Sequence, residues 1–392
     1  MRKHPLPPAI PNRPALRRGT TTLAALAALT LAAGATAEAA PDARAVSTSG
    51  VTLAAPDVVP SAAVTGSSNQ VQYVQDSLYA AGNTGYLHRR ANADGSEGVH
   101  AWRGYDGSER SLDTYGGASQ GQYGYYAAGS DTVLTSPLYS SGQIQTQDMA
   151  TGATTDVTLP AGQYVAAVFG STLITQELDD VWQVARLHVL HVAEDGAIQS
   201  DIPVDPPENQ FFPRNQPVLA GDGRSALIRF RHALDIGLLD LATGTMTTTI
   251  STHATDDDSL YLQAALSPTH IAVYHEGASQ ARVVRRDDPT GAQTVVPVPQ
   301  YASGTAFVGL AGEWLLTSYR PPYGTSAGPG GPLQATPLNG GKSRTLLPAA
   351  EPEIAQIPSG GAVAVGQSTD GAWTAHRISI APNGRPALTP LT

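Results

Sequence analysis

Val218 to Ile250 reads VLAGDGRSALIRFRHALDIGLLDLATGTMTTTI, and this stretch decides the fold. A short apolar run meets a tight turn at Gly221-Asp222-Gly223, and a second run follows from Ser225 to Arg231. A third run, Ile236 to Leu241, overlaps a turn at Asp240 to Gly244 that leads into Met246 to Ile250. Gly, Asp and Asn suit such turns because tight hairpins need positive φ, which costs these residues least. Four candidate strands and two hairpins thus fit within 33 residues.

The same punctuation recurs along the chain. A late turn carries Gly107, Gly152, Gly196, Gly244, Gly291, Gly340 and Gly384, at steps of 44 to 49 residues. An early turn falls near Thr84, Ser130, Ser171, Asp222, Pro268, Gly312 and Gly360, at steps of 41 to 51 residues. Two independent registers that agree over seven copies indicate a true repeat. A unit of this length with four short strands matches a propeller blade. The expected fold is all-β, a seven-bladed β-propeller of four-stranded blades spanning residues 70–392. Ala226, Ile228 and Phe230 fall on one face of their strand and Leu227, Arg229 and Arg231 on the other. Ile236, Leu238, Leu239 and Leu241 supply apolar groups to both faces, as a sheet stacked between two neighbours requires.

The chain has 392 residues and no cysteine, so stability must come from core and closure rather than from disulfides. Residues 1–40 read as a signal peptide: a basic start with Arg17-Arg18, an apolar Leu23 to Ala33, and small-x-small cleavage sites near Ala37 or Ala39. Leu23 to Ala33 is too short for a comfortable membrane span, so no stable span is expected after cleavage. The arginine pair raises the twin-arginine route, but the residues after it lack an early apolar pair, which favours general secretion. Residues 41–69 read as a linker, with Val51 to Val59 as a strand that could close the ring. Without residues 1–40 the chain keeps 18 basic and 32 acidic residues, which excludes nucleic acid as a partner.

Successive turns of a propeller alternate between its two faces. The early and late turns share one face and are short. Connections between middle strands and between blades share the other face and are longer, for example 115–126, 205–217, 252–261 and 320–332. Binding residues concentrate on loops held by a rigid scaffold. The candidate ligand-binding residues are therefore Tyr125, Tyr126, Phe211, Phe212, Asp256, Asp257, Asp258 and Tyr323. Aromatic faces beside carboxylates suit a sugar or peptide surface, and the same rings would equally serve to pack loops onto the disc.

Three consecutive aspartates cannot all point at one ion, so Asp256 to Asp258 fit a solvated loop or a basic ligand better than calcium. His188 and His191 lie three apart, which on a strand puts them on opposite faces and prevents chelation of one metal. Serine catalysis would favour a G-x-S-x-G elbow between strand and helix, and an all-β chain has no helix to host it. The reading assigns no cofactor, no metal and no catalytic residue. It yields a secreted binding module for an extracellular glycan or protein, and as its alternative a propeller hydrolase or lyase acting on carbohydrate or a lactone.

Leu239 to Thr245 (LDLATGT), and more weakly Asp148 to Thr154 (DMATGAT), resemble the L-D-x-x-T-G hairpin of YVTN and quinoprotein-like propellers. The architecture also looks like the N-terminal propeller of secreted actinobacterial proteins that continue into FG-GAP or VCBS-type repeats. The chain lacks the Trp-Asp endings of WD40 blades and the Trp-rich docking pattern of quinone-binding dehydrogenases. It carries no D-x-D-rich FG-GAP segment, so the resemblance implies a fold and transfers no function of such repeats.

Overall fold

A computed structural model describes residues 77–90, 99–112, 130–136, 140–179, 184–208, 210–213, 217–230, 235–251, 262–275, 277–299, 305–320, 330–368, 371 and 373–391. Among them every regular element is a strand. The strands form seven separate antiparallel sheets in chain order, which is a seven-bladed β-propeller.

Blade 1 comprises β1 (Ser77–Ala81), β2 (Gly85–Arg90), β3 (Val99–Gly104) and β4 (Glu109–Ser111). Blade 2 has three described strands: β5 (Thr132–Leu134), β6 (Gln143–Asp148) and β7 (Thr154–Thr158). They match the second to fourth strands of the other blades, and residues 113–129, which precede them, lie outside the described set. Blade 3 contains β8 (Gln163–Phe169), β9 (Thr172–Leu178), β10 (Val184–Val192) and β11 (Ile198–Val204). Blade 4 contains β12 (Val218–Gly221), β13 (Ser225–Arg229), β14 (Asp235–Asp240) and β15 (Met246–Ser251). Blade 5 contains β16 (Leu262–Leu266), β17 (His270–His275), β18 (Gln280–Arg285) and β19 (Thr294–Pro297). Blade 6 contains β20 (Thr305–Ala311), β21 (Trp314–Arg320), β22 (Leu333–Pro337) and β23 (Arg344–Leu347). Blade 7 contains β24 (Ala349–Gln356), β25 (Ala362–Gln367), β26 (Trp373–Ile380) and β27 (Pro386–Leu391).

The stretch that opened the sequence reading is blade 4. Ser225 pairs with Asp240 and Leu227 with Leu238 in the β13–β14 ladder. Its two faces serve two junctions. Ala226, Ile228, Phe230 and Leu239 pack toward blade 3. Leu227, Ile236 and Leu238 pack toward blade 5. The buried apolar side chains of the described residues form seven clusters, one at each junction between neighbouring blades. The core is therefore a ring rather than a centre, and burial between sheets supplies the cohesion that backbone ladders supply within each sheet.

Adjacent inner strands share no ladder, so side chains bridge them. Gln263 of β16 donates from Nε2 to the Ala306 carbonyl at 3.0 Å, and its Oε1 accepts from the Val308 N–H at 3.2 Å. From blade 7, Gln356 of β24 treats β20 likewise: it accepts from the Leu310 N–H at 2.9 Å and donates to the Leu310 carbonyl at 2.7 Å. A primary amide presents a donor and an acceptor, so it imitates a missing strand. Close approach also needs small residues here. A Cβ on Gly221 of β12 would lie 2.2 Å from the Phe169 ring of β8.

The ring closes by packing. Leu78, Ala81 and Tyr86 of blade 1 join Ala355, Val363 and Ala375 of blade 7 in one cluster. The Asn83 side chain accepts from the Ser359 N–H at 3.0 Å, and Arg377 lies over the Tyr105 ring at 4.7 Å. Burial pushes the Tyr105 hydroxyl up in pKa, with the Arg377 charge opposing, and that hydroxyl donates to the Gly82 carbonyl at 3.0 Å. Blade 7 supplies four consecutive strands of its own. The expected closing strand Val51 to Val59 lies outside the described residues, as do residues 1–40.

Six of the seven late-turn glycines have φ between 70° and 86°, as the hairpin argument requires. Gly291 is the exception among them. There the Asp288 carboxylate occupies the space beside the glycine, with Oδ2 2.1 Å from where a Cβ would stand.

Candidate functional site

The long-loop face is best described over blade 3 and its connection to blade 4. Four adjoining strands place polar side chains in a row at that end of the sheet. Gln163 stands on β8, Thr175 and Glu177 on β9, Arg186 and His188 on β10, and Asp201 on β11. Gln163 is opposite Glu177 in one ladder, and Arg186 is opposite Glu177 in the next. Thr175 and Glu177 lie two apart on their strand, as do Arg186 and His188, so strand period brings each pair to one face.

His188 sits at the middle of the row and is buried. Its Nδ1 lies 2.6 Å from Asp201 Oδ1 and its Nε2 lies 3.3 Å from Glu177 Oε2. Gln163 donates from Nε2 to Asp201 Oδ2 at 2.9 Å, and the Thr175 hydroxyl donates to Gln163 Oε1 at 2.6 Å. Arg186 reaches Glu177 at 3.9 Å and Asp205 at 3.0 Å. Both ring nitrogens of His188 are thus engaged, and the network fixes the carboxylates around it. His191, three residues on, does not join this network. His191 turns to the Thr172 hydroxyl, 3.3 Å from its Nδ1. Among the described residues no group of three metal-ligating side chains converges.

Phe211 and Phe212 separate. Phe212 pairs with Val184 in an isolated antiparallel bridge, and its ring stacks on Phe230 at 5.8 Å with 27° between planes. It is 2% exposed, so the expectation that it meets a ligand is corrected: Phe212 belongs to the cluster between blades 3 and 4. Phe211 is 55% exposed. Neighbouring residues of an extended segment point to opposite sides, so anchoring one ring turns the other outward. The segment before Phe211 is held at two points. Asp205 is held by Arg186, and Gln210 donates from Nε2 to Asp235 Oδ2 at 3.2 Å. The result is an exposed aromatic ring next to a buried one, with Asp205 and Glu208 a few residues earlier in the chain. Tyr125, Tyr126, Asp256, Asp257, Asp258 and Tyr323 lie outside the described residues.

Sequence reasoning missed the row of Gln163, Arg186, His188 and Asp201. The available signal was polar residues two apart on strands that are otherwise apolar, at the same end of neighbouring strands. Of the described inner strands, only β24 carries carboxylates, Glu351 and Glu353.

No family model matches the chain, and neither does any curated protein. Solved structures resemble it in fold. A prolyl endopeptidase is 15% identical, with a TM-score of 0.49 over 81% of this chain and 50% of its own. The β-propeller domain of the trilobed protease from Pyrococcus furiosus, which has an open velcro topology, is 8% identical with a TM-score of 0.42 over 81% and 95%. The β-propeller domain of Cps50 (Swd1) from Myceliophteria thermophila is 12% identical with a TM-score of 0.42 over 81% and 99%. This chain thus spans half the length of the endopeptidase it resembles. At these identities the likeness concerns the fold alone.

Proposed function

We propose that the protein is a secreted propeller that binds a polymer or protein ligand on its long-loop face, with Phe211 as a central contact. One observation carries this reading: an exposed phenylalanine is presented by a loop that is anchored by its buried neighbour and tethered through Asp205 and Gln210. A preordered aromatic contact avoids the entropy loss of fixing a loop on binding. Asp205 and Glu208, close by in the chain, supply acceptors for hydroxyl or N–H groups of the ligand. Likeness of the LDLATGT hairpin to YVTN-type propellers and export through residues 1–40 belong to the same reading.

The test separates the two phenylalanines on glycan and peptide arrays. Phe211→Ala should keep the melting temperature of the wild type and lose the array signal. Phe212→Ala should lower stability by ~3–5 kcal/mol, the usual cost of emptying a buried aromatic site. Array hits that survive Phe211→Ala at full strength would overturn the reading.

A further inference from the structure

Charge is unevenly spread along the chain. Residues 41–304 hold 13 basic and 28 acidic residues, whereas residues 305–392, which supply blades 6 and 7, hold five and four. The acidic excess therefore stops short of these two blades. Three exposed cations gather at their late turns. Arg344 opens β23 and lies over the Trp314 ring, its guanidinium carbon 5.9 Å from the ring centroid. Trp314 donates from Nε1 to the Gly384 carbonyl at 2.9 Å, and Arg385 follows Gly384 in the chain. Lys342 stands in the turn before β23, next to Ser343, whose hydroxyl lies 2.8 Å from that of Thr336 on β22. In blades 3 and 5, Arg186, Arg285 and Arg286 each pair with a carboxylate. Lys342, Arg344 and Arg385 have no carboxylate partner among the described residues. Glu313 precedes Trp314, but strand alternation sends it the other way: it meets His270 of blade 5, while Trp314 packs on the cluster between blades 6 and 7.

We infer that this patch docks a short acidic peptide segment of a partner protein, extended along β23. β23 is the outermost strand of blade 6 and is paired on one side only. Such an edge offers main-chain N–H and C=O groups that another polypeptide matches and a polysaccharide does not. Each blade ends in an edge of this kind, and charge singles this one out. A chain of carboxylates meets an excess of acids elsewhere on the molecule. Here it meets guanidinium groups, whose planar fork donates two hydrogen bonds to one carboxylate. A long polyanion would overrun the patch and reach the acidic remainder, so the complement is a short segment. The patch lies at the short-turn end of its blades and does not depend on the reading given above.

Fluorescence anisotropy on the full chain tests this, with dye-labelled hexaglutamate as the probe. Binding should be present in about 50 mM salt and lost at about 500 mM, because exposed charge pairs are screened. Arg344→Gln, Arg385→Gln and Lys342→Gln should each weaken it roughly two- to fivefold, the effect of one exposed charge pair, and the triple variant should reduce it to background. All three side chains are exposed, so the variants should keep the melting temperature of the wild type. Arg224→Gln, at an exposed arginine of blade 4, should leave binding unchanged. A hexamer of N-methyl-glutamate keeps the charge and loses the N–H groups, and it should bind at least about fivefold more weakly. A mannuronate hexamer, which has carboxylates but no peptide backbone, should bind more weakly as well. No binding of hexaglutamate at the lower salt would overturn the inference. So would binding that survives the triple variant, an equal loss with Arg224→Gln, equal binding of the N-methyl hexamer, or tighter binding of the mannuronate hexamer.

Discussion

The junctions on either side of blade 5 have the same architecture and use neighbouring arginines differently. Toward blade 4, Arg286 leaves the end of β18 and enters the turn at Asp222, where both side chains are nearly buried at 12% and 5% exposure. That turn also holds Asp222 through the Arg224 and Ser225 N–H groups, each at 3.0 Å. Toward blade 6, Arg285, one residue earlier, turns to the other side of the strand and pairs locally with Asp287 in solvent. Strand alternation sends consecutive arginines to different junctions. One becomes a clamp between blades, and the other stays in solvent. Repeated units can therefore be equal in backbone and unequal in what their junctions offer a ligand.

The largest effect should come from breaking the clamp. Asp222→Ala strands the Arg286 charge in a buried site, and unfolding in denaturant should show a loss of ~3–5 kcal/mol. Arg286→Met removes the charge instead of stranding it, so its loss should be smaller. Equal losses would mean that the turn contacts of Asp222, rather than the ion pair, close the junction.

A smaller effect is expected where blades 6 and 7 meet. His376 of β26 is 3% exposed, on the same strand face as Ile378 of that junction's cluster. Burial holds its pKa below the ordinary histidine value, with a backbone contact at Thr374 opposing. The unfolded chain therefore takes up this proton first as pH falls. The stability linked to His376 is complete above about pH 6.5 and is lost progressively below it. His376→Leu should flatten the fall in melting temperature between about pH 7 and about pH 5. An unchanged slope would assign that fall to other groups.

The smallest effect belongs to the open junction. Glu313 is exposed and meets His270 only at 3.7 Å, so Glu313→Ala should change stability by less than ~0.5 kcal/mol. A loss as large as that of Asp222→Ala would show that the two junctions are closed alike and would remove the contrast.

Much of the fold was legible because a repeat writes its turn chemistry seven times. Thr243 and Asp240 illustrate it: Asp240 Oδ1 accepts from the Thr243 N–H at 2.8 Å and its hydroxyl at 2.9 Å, which is the physical content of the DLATG pattern. Asp148 and Thr151 repeat the arrangement in blade 2. The candidate sites were far less legible. Phe211 and Phe212 are identical letters, and only the stacking of Phe212 on Phe230 decides which of them faces outward.

By itself, the sequence determined strand period, turn position and the number of blades, because these depend on neighbours in the chain and on φ preferences that individual residues carry. Tertiary structure alone decided which polar side chains meet. His188 joins Asp201 across 13 residues, Arg286 joins Asp222 across 64, and Asn83 joins Ser359 across 276. Such contacts depend on how one sheet stacks on the next, a relation that no local pattern of apolar and polar residues encodes.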